Sequence, residues 1–140
     1  MTDTIVFDAE PVLAYLDDEP GSDAVEEWID RVAAGEIDGY VSPVTKTEIL
    51  YVGSRIGFDA ADVRASLDRL EAIGVDTYDP TDCWETAAVL KEAYGMALGD
   101  AYALATAEAV GGTLLAGADD DFDEVDGNDA SIERFRDEPA

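Results

Sequence analysis

Four short strand-like runs punctuate the chain: Thr4-Ile5-Val6-Phe7, Gly39-Tyr40-Val41, Val75 to Tyr78, and Thr113-Leu114-Leu115-Ala116. Stretches of helical periodicity separate them, and this alternation constrains the fold more than any other feature. Glu10 to Leu16 carries Val12, Leu13 and Leu16 at helical spacing, with Pro11 suited to a first turn. Ser22 to Ala34 places Asp23, Glu26 and Glu27 early, where the helix dipole favours acids. Ser42-Pro43 pairs a hydroxyl N-cap with proline at the first helical position and opens a helix to about Ile56. Asp59 to Ile73 aligns Val63, Leu67 and Leu70 on one face, and Thr81 to Tyr94 is a further helix. Ala101 to Val110 is almost wholly apolar and is expected to be buried. Ser131 to Phe135 reads as an edge strand. Strands alternating with helices predict an α/β domain with a mainly parallel sheet of four to five strands, flanked by helices on both faces.

A length of 140 residues suits one domain, with residues 137–140 as a solvated tail. The N-terminus lacks the basic and long apolar regions of a signal peptide, and no apolar run approaches the roughly 20 residues that cross a bilayer. The expected location is the cytoplasm.

Composition decides the chemistry. The chain has no histidine and one cysteine, Cys83. Serine–histidine and cysteine–histidine nucleophiles, paired-histidine ribonuclease chemistry, imidazole zinc sites and an internal disulfide are thereby excluded. What remains is carboxylate chemistry. The 34 acidic residues outnumber 8 basic ones for a net charge of −26, yet 47% of residues are hydrophobic, which argues for a folded core rather than disorder. An acidic shell spread along a folded domain is the pattern of a salt-in halophile, where molar salt shrinks the Debye length to roughly 3 Å. An acidic interaction protein at ordinary salt is the alternative reading.

Four acids stand out by position. Asp8 directly follows the first strand and Asp119 closely follows the fourth, where parallel sheets bind ligands. Glu48 shares a helical row with Val44 and Val52, and Asp100 opens a helix on the side of Ala103, Leu104 and Ala107. Core-facing charges are costly unless paired or bound to metal. Each acid has a structural alternative: Asp8 and Asp100 as helix N-caps, Glu48 reaching solvent or Arg55, and Asp119 as one member of a solvated acidic loop. That loop is out of phase for an EF-hand, since its sixth position is Glu124. Gly111-Gly112 precedes a strand and opens no helix, so it is not a phosphate loop. Trp28 and Trp84 are read as core.

The segments Ile5-Val6-Phe7-Asp8, Ser42 to Glu48, Leu98-Gly99-Asp100-Ala101 and Leu114 to Phe122 occur in an order that resembles the PIN-domain ribonucleases. The resemblance is greatest to VapC-type toxins of bacterial and archaeal toxin–antitoxin pairs, here of a halophilic archaeal type. It implies a single PIN-like domain and a metal-dependent endoribonuclease, with Asp8, Glu48, Asp100 and Asp119 converging on a divalent cation. It further implies Asp8, Asp100 and Asp119 as metal ligands, Glu48 orienting water, an antitoxin partner, a homodimer, and products with 5′-phosphate and 3′-hydroxyl ends. Oxygen-only ligands select hard cations, so Mg²⁺ or Mn²⁺ is the expected cofactor. Arg55, Arg64 and Arg69 are candidates for short-range RNA contacts. The chain departs from the family in two places: Ala9-Glu10 follow Asp8 where a small hydroxyl residue is usual, and Gly117 stands where threonine often begins the last motif. Glu10 can supply an extra oxygen, and Asp121 can join or replace Asp119. A non-enzymatic PIN-like interaction protein and a DNA-processing nuclease are the competing readings.

Overall fold

Five short strands hold the molecule together: β1 (Thr4–Phe7), β2 (Asp38–Val41), β3 (Val75–Thr77), β4 (Thr113–Ala116) and β5 (Ser131–Arg134). The computed structural model describes residues 4–118, 122–125 and 131–137. All four neighbouring pairs are parallel and the strand order is β3-β2-β1-β4-β5. The parallel sheet is as expected, every pairing among the described residues being parallel, and β5 is the expected edge strand. Parallel neighbours need crossovers, and among the described residues six helices supply those that join β1 to β2, β2 to β3 and β3 to β4. These are α1 (Ala9–Leu16), α2 (Ser22–Ala33), α3 (Pro43–Arg55), α4 (Ala60–Ala72), α5 (Trp84–Tyr94) and α6 (Leu98–Val110).

The pleat sends alternate side chains to opposite faces, and each face has its own core. Ile5, Phe7 and Leu115 pack with Val12, Val25, Ile29, Ile49, Val63 and Leu67 of α1 to α4. Val6, Leu114 and Ala116 pack with Ala87 and Leu90 of α5 and the alanine-rich face of α6. The residues that start α3 and α4 do what their chemistry predicts: Ser42 and Asp59 accept backbone bonds from Val44 and Ala61. Two expectations are corrected. The segment from Thr81 begins with a 3-10 turn at Pro80–Asp82, and α5 starts only at Trp84. Trp84 itself is 60% exposed, because Cys83, Ala87 and Leu90 are the residues of this segment that face the core. Trp28 is half-buried against the first core, as expected, with the Arg31 guanidinium 4.7 Å above its ring.

Among the described residues, no helix is long and apolar enough to cross a membrane. The net charge of −26 on so small a domain should make the fold salt-dependent by unscreened repulsion. Relief of only about 1 kcal/mol raises the melting temperature by about 3 °C, at roughly 2.1 cal/mol/K of unfolding entropy per residue. Melting curves from low to molar KCl should rise by at least that much. A flat profile would place the origin of the acidity elsewhere.

Candidate active site

The strand order reverses between β1 and β4, and Asp8 stands at the carboxyl end of β1 beside that reversal. Open parallel sheets bind ligands at such points, because the crossovers diverge there and leave a crevice. Asp8 is 6% exposed, and its backbone N–H donates to the Leu115 carbonyl at 3.0 Å, extending the β1–β4 ladder by one rung. It occupies the N-cap position of α1, yet its side chain makes no capping bond. The capping alternative for Asp8 therefore lacks its defining contact.

Asp100 is not a cap either. Helix α6 begins at Leu98, with Ala97 at its N-cap, so Asp100 lies in the first helical turn rather than ahead of it. An acid there is favoured by the helix dipole, and Asp100 lines the same cleft as Asp8. Glu48, on α3, crosses to the same place: a side-chain carbon built on Gly99 would collide with its carboxylate. Gly99 is thus a notch in the first turn of α6 that admits Glu48. The alternative of Glu48 reaching Arg55 is not realised, since Arg55 donates to the Tyr51 hydroxyl at 3.2 Å.

Asp8, Glu48 and Asp100 line one cleft of about 370 Å³, with Glu10 at its side and Ala9, Leu13, Val52 and Ala97 as its apolar walls. Three elements distant in sequence thus converge on one crevice. Asp119 and Asp121 lie outside the described residues. Among the described residues, no group of three or more acidic or cysteine side chains stands close enough to hold a metal ion. The donor chemistry nevertheless fits a hard divalent cation. The residues that line the cleft offer carboxylate oxygens, and Glu48 Oε1 is buried without a hydrogen-bond partner, which a cation would satisfy. Glu10 is differently engaged, through an ion pair with Arg136 at 3.1 Å.

Burial pushes the Glu48 carboxyl above its ordinary value. The native state then holds this proton to higher pH than the unfolded chain does. Stability falls as pH rises from the ordinary glutamate value through the raised one. Glu48→Gln removes that term, so the metal-free variant should be at least as stable as wild type at neutral pH and flatter across this window. Urea titrations in EDTA between about pH 4 and 7 measure it. A large neutral-pH loss in the variant would show that the carboxylate is satisfied in the native state.

Sequence reading missed three supporting residues: Gly99, Arg134 and Arg136. Gly99 left a signal, because glycine inside a helix costs about 1 kcal/mol relative to alanine and implies a packing reason. The two arginines left none, since their partners lie far away in sequence.

A fully parallel five-stranded sheet with acids converging at its switch point defines an α/β protein with a carboxylate cleft. The chain belongs to the PIN domain family, whose model matches residues 5–128. That family is one of nucleases. No curated protein matches the sequence. Among solved structures, the fold is similar to VapBC2 from Rickettsia felis bound to a DNA fragment from its promoter, at a TM-score of 0.71 and 13% identity, covering 94% of this chain and 98% of that one. It is also similar to a toxin–antitoxin complex from Klebsiella pneumoniae, at 0.68 and 18%, with coverages of 94% and 98%. PAE2754 from Pyrobaculum aerophilum follows at 0.60 and 17%, covering 94% of this chain and 92% of that one.

Proposed function

We propose that this chain is a divalent-metal-dependent endoribonuclease and the toxin of a toxin–antitoxin pair, working as a homodimer in the cytoplasm. The observation that carries the reading is the convergence of Asp8, Glu48 and Asp100 on one cleft at the sheet's switch point, with Glu48 Oε1 buried and unpartnered. The PIN family and the toxin–antitoxin complexes among the similar structures support it.

Asp8 and Asp100 would hold Mg²⁺ or Mn²⁺, with Asp119 as a further ligand from the loop after β4. When bound, the cation supplies a more acidic water and offsets charge on the phosphate oxygens. Glu48 reaches the same cleft from α3, and its carboxylate would orient the attacking water. Ala97, Val52 and Leu13 wall the cleft with apolar surface, which strengthens those interactions. Without histidine there is no imidazole to activate the 2′-hydroxyl, so hydrolysis leaving 5′-phosphate and 3′-hydroxyl ends is the expected route.

RNA affinity ordinarily comes from Lys and Arg neutralising phosphates, which an acidic chain lacks in number. Lys46, Arg55, Arg64 and Arg69, four of the eight basic residues, lie on α3 and α4. Lys46 and Arg64 line a groove of about 400 Å³ between those helices together with Asp68 and Glu71, and Lys46 pairs with Glu71 at 3.5 Å. High salt, which the acidic shell suits, would screen the remaining repulsion. The purified protein should cleave RNA in molar KCl with Mg²⁺ or Mn²⁺ and be silent in EDTA. Binding of RNA without metal-dependent cleavage would favour a non-enzymatic interaction protein, and cleavage of DNA alone would favour a DNA-processing role.

A further inference from the structure

The two positions where this chain departs from the family's motifs meet in space. A side-chain carbon built on Gly117 would fall inside the Glu10 carboxylate, so Glu10 occupies the volume that Gly117 leaves open. Gly117 directly follows β4, and Glu10 lies in the first turn of α1, two residues after Asp8. Both partners are gripped from the C-terminal segment. Arg136, with a side chain only 8% exposed, donates from Nη2 to Glu10 Oε2 at 3.1 Å. Its Nη1 donates to Glu19 Oε1 at 3.1 Å and to the Pro20 carbonyl at 3.0 Å. Arg134 donates from Nη1 to the Gly117 carbonyl at 2.6 Å and from Nη2 to Asp123 Oδ1 at 2.7 Å. The exit from β4 is thus tied to β5, the start of α1 to the residues just after it, and the two meet at the Glu10–Gly117 contact.

We propose that Glu10 is a positioning residue of the carboxylate cleft: seated in the Gly117 notch and held by Arg136, it fixes the spacing between Asp8 and the exit from β4. Glu10 lines the cleft beside Asp8, Glu48 and Asp100, so its displacement moves a wall of that cleft. Its Oε2 is held by the guanidinium, so the role assigned to Glu10 is to position the cleft wall and not to ligate metal. The inference rests on the proposed metal-dependent nuclease site.

Mn²⁺ affinity, RNA cleavage and melting temperature of single and double variants test it. Glu10→Gln keeps an oxygen for Arg136, so Mn²⁺ affinity and cleavage should stay within about threefold of wild type. Gly117→Ala evicts the carboxylate and should weaken both by about tenfold or more, as loss of a supporting contact does. In a Glu10→Ser background the same Gly117→Ala change should cost less than about twofold, because the clash is gone. A tenfold loss in Glu10→Gln would make Glu10 a ligand and overturn the proposal. So would a Gly117→Ala variant that melts lower but binds Mn²⁺ and cleaves as wild type does, since that is a purely structural role. Asp8→Asn separates the two levels: if it cleaves normally while the Glu10–Gly117 coupling persists in Mn²⁺ affinity, the nuclease reading fails and the positioning role stands.

Discussion

Asp8→Asn and Asp100→Asn should each lower metal-dependent RNA cleavage by at least about 100-fold, beyond the loss caused by disturbing a mere supporting contact. The reason lies in where the two residues sit. The Asp8 backbone is fixed by the β1–β4 ladder, Asp100 lies in the first turn of a buried helix, and both line the cleft. Exchange of carboxylate for amide keeps the shape and removes the charge that draws the cation. Steady-state cleavage of a defined single-stranded RNA, at saturating Mn²⁺ in molar KCl, measures the effect. Equal rates for wild type and Asp8→Asn would identify a contaminating nuclease and remove the assignment.

Divalent metal should stabilise the wild-type fold by about 2.7 kcal/mol at a hundredfold excess over its dissociation constant. For a chain of 140 residues that is a rise of about 9 °C in melting temperature, using the same unfolding entropy per residue. The metal-free protein starts from a disadvantage. Asp8, Glu48 and Asp100 line one cleft, where like charges should repel when no cation is bound, and burial already raises the Glu48 carboxyl. Asp100→Asn relieves repulsion without changing volume, so in EDTA it should melt at or above the wild-type temperature while gaining little from Mn²⁺.

Much of this arrangement is legible in sequence. The strands and their order of crossovers follow from alternating apolar runs, and Ser42 and Asp59 announce their helices because a cap is a local interaction. The inward placement of Glu48 follows from its row with Val44 and Val52 on α3. Boundaries were less legible where two tendencies compete. Asp100 looks like a cap because it is an acid before an alanine-rich run, yet Leu98 and Gly99 are already helical and Ala97 takes the cap position. Trp84 looks like core by size, but only the Cys83–Ala87–Leu90 side of its segment meets α6 and the sheet. The Glu10–Gly117 seat was visible only as two separate oddities. Nothing local connects residues 107 positions apart, and Arg136, which joins them to the C-terminal segment, lies 126 residues from Glu10.

The measurement that bears most directly on the carboxylate cleft is a set of melting curves for wild type, Asp100→Asn, Asp100→Ala and the exposed control Asp68→Asn, each in EDTA and in Mn²⁺ at molar KCl. A metal-holding cleft predicts that Mn²⁺ raises wild type and Asp68→Asn alike by several degrees, and leaves both Asp100 variants nearly unmoved. It also predicts that Asp100→Asn is no less stable than wild type in EDTA. A purely structural Asp100 predicts the opposite: Asp100→Ala loses about 1 kcal/mol equally in both buffers, and wild type gains nothing from Mn²⁺. That result would contradict the metal site and, with it, the nuclease.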